Sequence, residues 1–141
     1  MRTEQRTDPV AVVRRCFEDV IVRGELDVVD DVLSADVRFT TVNGDVLVGR
    51  RAFRNFADQF RTAFPDIGFD FEEEFTDGEW VSTRYLMHGT FLSTLLGVLP
   101  NGNTFKVRGI DTFRVVDGKV TEIFASFDTL GQMRQLGIVR A

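Results

Sequence analysis

The architecture of this chain follows from the run TFKVRGIDTFRVVDGKVTEIFASFD, residues 104–128. Apolar and polar residues alternate through most of it, which is the two-residue period of a half-buried β-strand. Asp117-Gly118 interrupts the alternation with a pair that is typical of a two-residue hairpin turn. The run therefore predicts two long antiparallel strands, over residues 104–116 and 120–128.

Further strands are predicted upstream of this hairpin. Alternating apolar residues predict a strand over 67–75, and the turn pair Asp77-Gly78 leads into another over 80–91. A shorter strand is expected over 37–42, before the turn pair Asn43-Gly44. The chain is therefore expected to form a sheet of mainly antiparallel strands.

Helical spacing dominates the first half of the chain. Thr7 or Asp8 can cap a helix with Pro9 in its first turn, and Gly24 marks its end. Other helices are predicted over 26–33, with a break at 34–36, over 49–64 and over 129–136. The third helix carries one apolar stripe, formed by Phe53, Phe56, Phe60 and Phe64. Helices followed by a run of strands predict an α+β fold in one domain, residues 1–141.

Composition excludes several classes of partner. The chain has 17 Lys and Arg against 22 Asp and Glu, and its net charge of −5 argues against nucleic acid or an anionic membrane as a partner. Cys16 is the only cysteine, so the sequence offers neither an internal disulfide nor the spacing of a metal site. No apolar run resembles a signal peptide or a membrane span, so a cytoplasmic protein is expected. The 14 phenylalanines fit either a well-filled core or an aromatic-walled pocket for a flat apolar ligand.

The hairpin also predicts which residues share a face of the sheet. In a regular two-residue hairpin Asp111 lies opposite Phe124 and Gly109 opposite Ser126, and opposed residues share a face. That inner face would carry Asp111, Phe124, Ser126 and Asp128, and its mixed polarity under the helices predicts a ligand cavity. A β-bulge near Gly109 would change this parity.

Several short motifs agree in order with one known family. These are GIDTFR at 109–114, DGKV at 117–120, Asp128 and QLG at 135–137, preceded by RGELD at 23–27, FPD at 64–66 and GVLPNG at 97–102. Together they resemble the SnoaL-like polyketide cyclases of the nuclear-transport-factor-2-like superfamily. The resemblance implies a cone-shaped α+β barrel, in which N-terminal helices wrap a curved antiparallel sheet around an apolar cavity.

The resemblance also implies an activity. It suggests a cyclase of bacterial secondary metabolism and antibiotic biosynthesis, which closes a ring in an apolar polyketide-derived substrate by an aldol reaction without metal or cofactor. The position that matches the family's acid/base is Asp128, and a desolvated carboxylate there would be a better base near neutral pH. Asp128 is equally placed to cap the last helix, since that helix begins at the next residue.

The remaining candidates are expected to contact substrate. They are Phe17 in the first helix, Tyr85, Met87 and Phe91 on one face of the second long strand, and Asp111, Phe124 and Ser126 in the hairpin. The chain departs from the family where Gly-Thr-His is common, because Gly89-Thr90 is followed by Phe91 and the only histidine, His88, alternates to the other face. An epoxide-opening hydrolase or cyclase on the same fold, and a non-catalytic small-molecule-binding domain, therefore stay open.

A homodimer is also predicted. The outer positions of the regular hairpin are Ile110, Ile123, Ala125 and Phe127, which would expose an apolar patch. Isologous pairing of two such sheets would bury it.

Overall fold

The chain forms helices first and then strands that join in one sheet, as a computed structural model of residues 8–140 shows. The helical elements are α1, Pro9–Arg15, followed directly by a π-helix, Cys16–Val22; a 3-10 turn, Leu26–Val28; α2, Val29–Val32; α3, Arg50–Ala63; and α4, Thr129–Gln135. The strands are β1, Leu33–Thr40; β2, Val46–Val48; β3, Gly68–Asp77; β4, Trp80–Thr90; β5, Thr104–Val116; and β6, Lys119–Phe124.

The six strands lie in the order β2-β1-β6-β5-β4-β3. Neighbouring strands are antiparallel except β1 and β6, which are parallel. The edge strands β2 and β3 do not pair with each other, so the sheet is open and not a closed barrel. The predicted α+β class is confirmed.

The first helix begins where the sequence predicts. The Asp8 side chain accepts a hydrogen bond from the Val10 backbone N–H, and Pro9 occupies the first turn. Thr7, the other capping candidate, lies outside the described residues. The change to π-helix at Cys16 was not predicted, because apolar spacing alone does not separate the two helix types.

The first part of the sheet differs from the prediction. The second helix ends at Val32, and residues 34–36 belong to β1 and not to a break. β2 was not predicted, since three residues are too few to show a period; its register on β1 places Val48 opposite Arg38.

A β-bulge shifts the hairpin register that the sequence predicts. Val116 pairs with Lys119 as expected, across a turn in which Asp117 and Gly118 both have positive φ. Between the pairs Val115–Val120 and Arg114–Glu122, however, Thr121 has no partner. Beyond it every pairing moves by one residue, so Phe113 lies opposite Ile123 and Thr112 opposite Phe124.

This bulge reverses the predicted faces of β6. Ile123 is buried, whereas Phe124 is 44% exposed on the outer face. The predicted inner positions Phe124, Ser126 and Asp128 are therefore wrong, because one extra residue in a strand turns every later side chain to the opposite face. A second bulge in β3, at Glu72, likewise turns Phe75 outward, where it is 55% exposed.

The hydrophobic core lies between the helices and the inner face of the sheet. It is one continuous cluster that includes Val13 and Val20 from the first helical segment and Val81, Val107 and Phe113 from the sheet. Within residues 8–140, no helix is both long and apolar enough to cross a membrane.

Candidate active site

A small apolar cavity of about 60 Å³ opens inside this core. The helical wall consists of Cys16, Phe17 and Ile21 from the π-helix and Phe53, Phe56 and Phe60 from α3. The sheet wall consists of Phe39, Phe69, Tyr85, Met87, Asp111, Phe113 and Ile123, continued by Ala125 and Phe127 after β6. Asp111 is the only carboxyl group among the described residues that line the cavity.

Aromatic side chains form most of the cavity wall. Phe17 is central to them, because its ring lies edge-on to Phe69 at 4.9 Å, to Phe113 at 5.4 Å and to Tyr85 at 5.7 Å between centroids. Phe56 and Phe60 stack along α3 with centroids 5.8 Å apart. Edge-to-face and offset contacts of this kind are the favoured arrangements of aromatic rings, so the wall suits a flat apolar ligand.

Asp111 is held in this apolar surrounding by two hydrogen bonds to one oxygen. The Tyr85 hydroxyl donates to Oδ1 at 2.8 Å, and the Ser126 backbone N–H donates to the same atom at 3.2 Å. The two side chains come from neighbouring strands, and the β4–β5 register places Tyr85 opposite Gly109. Asp111 is 9% exposed and Tyr85 is 1% exposed.

Burial controls the protonation of both groups. Desolvation raises the pKa of Asp111 to about 7, and the hydrogen bonds from Tyr85 and Ser126 oppose that rise only in part. Desolvation, with the nearby Asp111 charge, also raises the pKa of Tyr85 well above its ordinary range. Near neutral pH the cavity therefore holds a carboxyl group that can take up or release a proton, beside a phenol that stays protonated.

Cys16 is the other titratable group in the wall. Burial raises the pKa of its thiol to about 12. A thiol in this state is not a nucleophile near neutral pH, because the thiolate is the reactive form.

Asp128 lies outside the cavity lining. It is exposed and caps α4, where its Oδ1 accepts a hydrogen bond from the Gly131 backbone N–H at 2.8 Å. Its side chain lines a shallow groove on the outer face of the sheet, beside Arg84 and Arg108. The capping interpretation of Asp128 is confirmed, and its catalytic role stays a prediction that this position does not favour.

The other residues predicted to contact substrate also divide into those that line the cavity and those that do not. Phe17, Tyr85, Met87 and Asp111 line the cavity. Phe91 is fully buried but belongs to the core and not to the lining. Phe124 and Ser126 face outward because of the bulge at Thr121, although the Ser126 backbone N–H still reaches Asp111.

The contribution of α3 to the cavity is not evident from the sequence. Phe53, Phe56 and Phe60 were recognised as one apolar stripe, and that stripe is the helical wall of the cavity. The signal was therefore present, but a stripe of phenylalanines fits a filled core equally well. His88 faces outward as expected, 3.8 Å from Asp70.

The described residues contain no group of three or more His, Cys, Asp or Glu side chains arranged to hold a metal ion. Among the described residues, the lining of the cavity contains no Lys or Arg that could pair with a cofactor phosphate.

Comparison with known proteins agrees with this architecture. The profile of the SnoaL-like polyketide cyclases matches residues 11–136. The chain is 27% identical to a nogalonic acid methyl ester cyclase of Streptomyces nogalater over 116 residues, which are 81% of this chain and 87% of that protein. It is 32% identical to an aklanonic acid methyl ester cyclase of Streptomyces peucetius over 92 residues, 64% of this chain and 63% of that one. A solved structure from Jannaschia sp. CCS1, assigned to the SnoaL-like polyketide cyclases, superposes with a TM-score of 0.86 over 93% of this chain and 92% of that chain, at 22% identity.

Proposed function

The chain belongs to the SnoaL-like polyketide cyclases, and we propose that it closes a ring in a small apolar polyketide-derived substrate, with Asp111 as acid and base. The observation that carries this proposal is the position of Asp111, a buried carboxyl group with a pKa near neutrality in an otherwise apolar cavity. The proposed reaction is an intramolecular aldol closure within bacterial secondary metabolism. It requires no metal or cofactor, because one group both removes and returns the proton.

The chemistry suits a carboxyl group in this environment. Ring closure begins when a base removes a proton from a carbon beside a carbonyl group, and it ends when the new alkoxide is protonated. A group whose pKa lies near the working pH performs both steps well. Asp111, with its pKa raised to about 7 by burial, meets that condition.

The size of the cavity bears on how substrate enters. Ligand pockets for molecules of several rings usually measure about 300–1,000 Å³, and this cavity measures about 60 Å³. Phe56, Phe60 and Phe127 line it and are only partly buried. We propose that these side chains rotate to admit substrate and then stack on its rings.

Neither alternative function gains support from the cavity. Opening an epoxide calls for several polar groups around one carbon, and the polar lining here is Asp111 with the Tyr85 hydroxyl and the Cys16 thiol. A domain that only binds ligand has no need of an ionisable group in its cavity, where burial of the charge is costly.

The direct test is a ring-closure assay with nogalonic acid methyl ester and aklanonic acid methyl ester, the substrates named for the two relatives. We expect conversion of at least one of them to an isomer of the same mass with a new retention time, in buffer that contains a chelator of divalent metals. If neither ester is consumed, or if the chelator stops the reaction, the proposal is contradicted.

We also propose a homodimer formed through the outer face of the sheet. Trp80, Ile110 and Phe124 are 37%, 48% and 44% exposed there, and the rings of Trp80 and Phe124 lie 6.3 Å apart. Ion pairs flank this patch, between Arg84 and the two residues Glu72 and Glu73, and between Arg114 and Glu79. An apolar centre with a charged rim is the usual composition of a protein interface.

The residues predicted to form the outer apolar patch need correction. Ile123, Ala125 and Phe127 were expected on the outer face, but the bulge at Thr121 turns them toward the cavity. Only Ile110 keeps its predicted place.

The expectation of a cytoplasmic protein also stays a proposal, and fractionation of cells that express the full chain tests it.

A further inference from the structure

The Tyr85 hydroxyl makes a hydrogen bond that packing in the cavity wall does not require. It donates to Asp111 Oδ1, which also receives the Ser126 backbone N–H. Among the described residues no donor reaches Asp111 Oδ2. The protein therefore holds one carboxylate oxygen by hydrogen bonds and leaves the other without a donor.

Gly109 makes this position of the hydroxyl possible. A Cβ at residue 109 would lie 2.6 Å from the Tyr85 hydroxyl oxygen and equally close to the ring carbon that bears it. Real Cβ atoms do not approach other atoms so closely, so any other residue would displace the phenol. The phenol crosses β5 because residue 109 has no side chain.

The phenol keeps its proton and can therefore donate it in a hydrogen bond. Burial, and then the charge of Asp111, favour its protonated form. Its ring is fixed by edge-on contacts with Phe17 and Phe69 at 5.7 and 5.2 Å. Rotation of the hydroxyl proton about the C–O bond is therefore the freedom that remains to it.

We propose that Tyr85 is a second catalytic residue, which donates to Asp111 at rest and to the substrate oxygen once Asp111 has taken a proton. This inference rests on the proposed function. Asp111 Oδ2 accepts a proton from the carbon beside a carbonyl group, the C–H bond breaks, and its electron pair moves to the carbonyl oxygen to give an enolate. The neutral carboxyl is then a weaker acceptor than the enolate oxygen, so the Tyr85 hydroxyl turns to the enolate.

The remaining steps restore the enzyme. The enolate carbon attacks the second carbonyl carbon, a C–C bond forms, and the negative charge moves to the new alkoxide oxygen. Asp111 returns its proton to that oxygen, and the Tyr85 hydroxyl donates to the carboxylate again. No oxidant, reductant or further reactant is consumed.

The test uses a probe that needs no knowledge of the natural substrate. Exchange of the α-protons of 2-tetralone in D₂O, followed by proton NMR across a pH series, reports enolate formation. Tyr85→Phe keeps the ring and removes the hydroxyl. Its melting temperature, compared with that of the wild type, checks that the fold is kept. We expect the exchange rate on the high-pH plateau to fall by about 10²-fold, the usual effect of losing one donor to a developing oxyanion.

The exchange rate on the high-pH plateau distinguishes a catalytic role of Tyr85 from a positioning role. If Tyr85 only adjusts Asp111, Tyr85→Phe will raise the pKa of Asp111 and move the profile to higher pH, and the plateau rate will be unchanged. That result would overturn the proposal. Carbon-13 NMR of the Asp111 carboxyl group, recorded without probe, measures the pKa shift independently.

Thr83→Val is the matched control. Thr83 is fully buried on β4, lies opposite Asp111 in the register, and its hydroxyl has no hydrogen-bond partner in the described structure. Its loss should alter neither the plateau nor the pKa of Asp111; an equal fall in Thr83→Val would overturn the role of Tyr85. Exchange by the wild-type enzyme no faster than by Asp111→Asn would instead contradict the proposed function, and the role of Tyr85 with it.

Discussion

Asp111, the proposed acid/base, also carries a cost to stability. Its carboxylate is buried among aromatic side chains, and the two hydrogen bonds to Oδ1 do not restore an ordinary pKa. A group with a raised pKa in the folded state stabilises the fold below its unfolded pKa and loses that contribution as the pH rises through the folded pKa. For Asp111 this window runs from the ordinary value of 3.8 to about 7.

We therefore expect Asp111→Asn to be more stable than the wild type at about pH 8 and no more stable at about pH 4, because asparagine carries no charge at either pH. The asparagine Oδ1 can still accept from Tyr85, so the local packing is kept. Thermal unfolding of both proteins at the two pH values measures the difference. Equal melting temperatures at the higher pH would show that Asp111 is not desolvated.

A side-chain contact between α3 and the π-helix supports the helical wall of the cavity. The Arg61 side chain of α3 donates to the backbone carbonyl of Ile21 at 3.0 Å and to that of Val22, at the end of the π-helix. Carbonyl groups at a helix end have no partner within the helix and need donors from elsewhere. Arg61 supplies them and joins α3 to the segment that carries Phe17.

Removing this contact should loosen the wall without touching the sheet. We expect Arg61→Ala to lower the free energy of unfolding by about 1.5–3 kcal/mol, the usual worth of hydrogen bonds from a charged donor. Urea unfolding measures the loss. Arg51→Ala is the control, since Arg51 is an exposed residue of the same helix; equal losses in both variants would contradict the role given to Arg61.

The sequence located most of the helices and the long strands, but it located neither β2 nor the faces that β6 presents. Turn pairs and alternation located β4 and β5 to within a residue, and the α3 stripe located a helix. The inner face of β6 was wrong, because one unpaired residue, Thr121, reverses the faces of all that follow. Alternation within a strand does not reveal such a bulge, since Ile123 and Phe124 are both apolar and either could face the core.

The bulge at Thr121 also explains why Asp128 lies outside the cavity. In a regular hairpin Asp128 would share the cavity with Asp111, and the bulge carries it to the outer face instead. The sequence therefore did not reveal that the predicted acid/base Asp128 and the predicted substrate contact Asp111 lie on opposite faces of the sheet.

At the scale of the whole molecule, the outer face of the sheet should hold two copies together. We expect the wild type to have the mass of a dimer by light scattering at micromolar concentration, and Phe124→Lys to have the mass of a monomer, because a charge in the apolar centre cannot be paired. Leu96→Lys makes the same change at an exposed leucine outside the sheet and should leave the dimer intact. A monomeric wild-type protein would contradict the proposal.

The proposed acid/base is Asp111 inside the cavity and not Asp128 outside it. Ring-closure rates of Asp111→Asn and Asp128→Asn, measured on folded protein with the same substrate, test it most directly. Asparagine caps a helix as well as aspartate does, so Asp128→Asn should keep nearly the wild-type rate. Asp111→Asn should lose about 10²- to 10⁴-fold, the usual contribution of one acid/base group. Full activity in Asp111→Asn with loss of activity in Asp128→Asn would contradict the account.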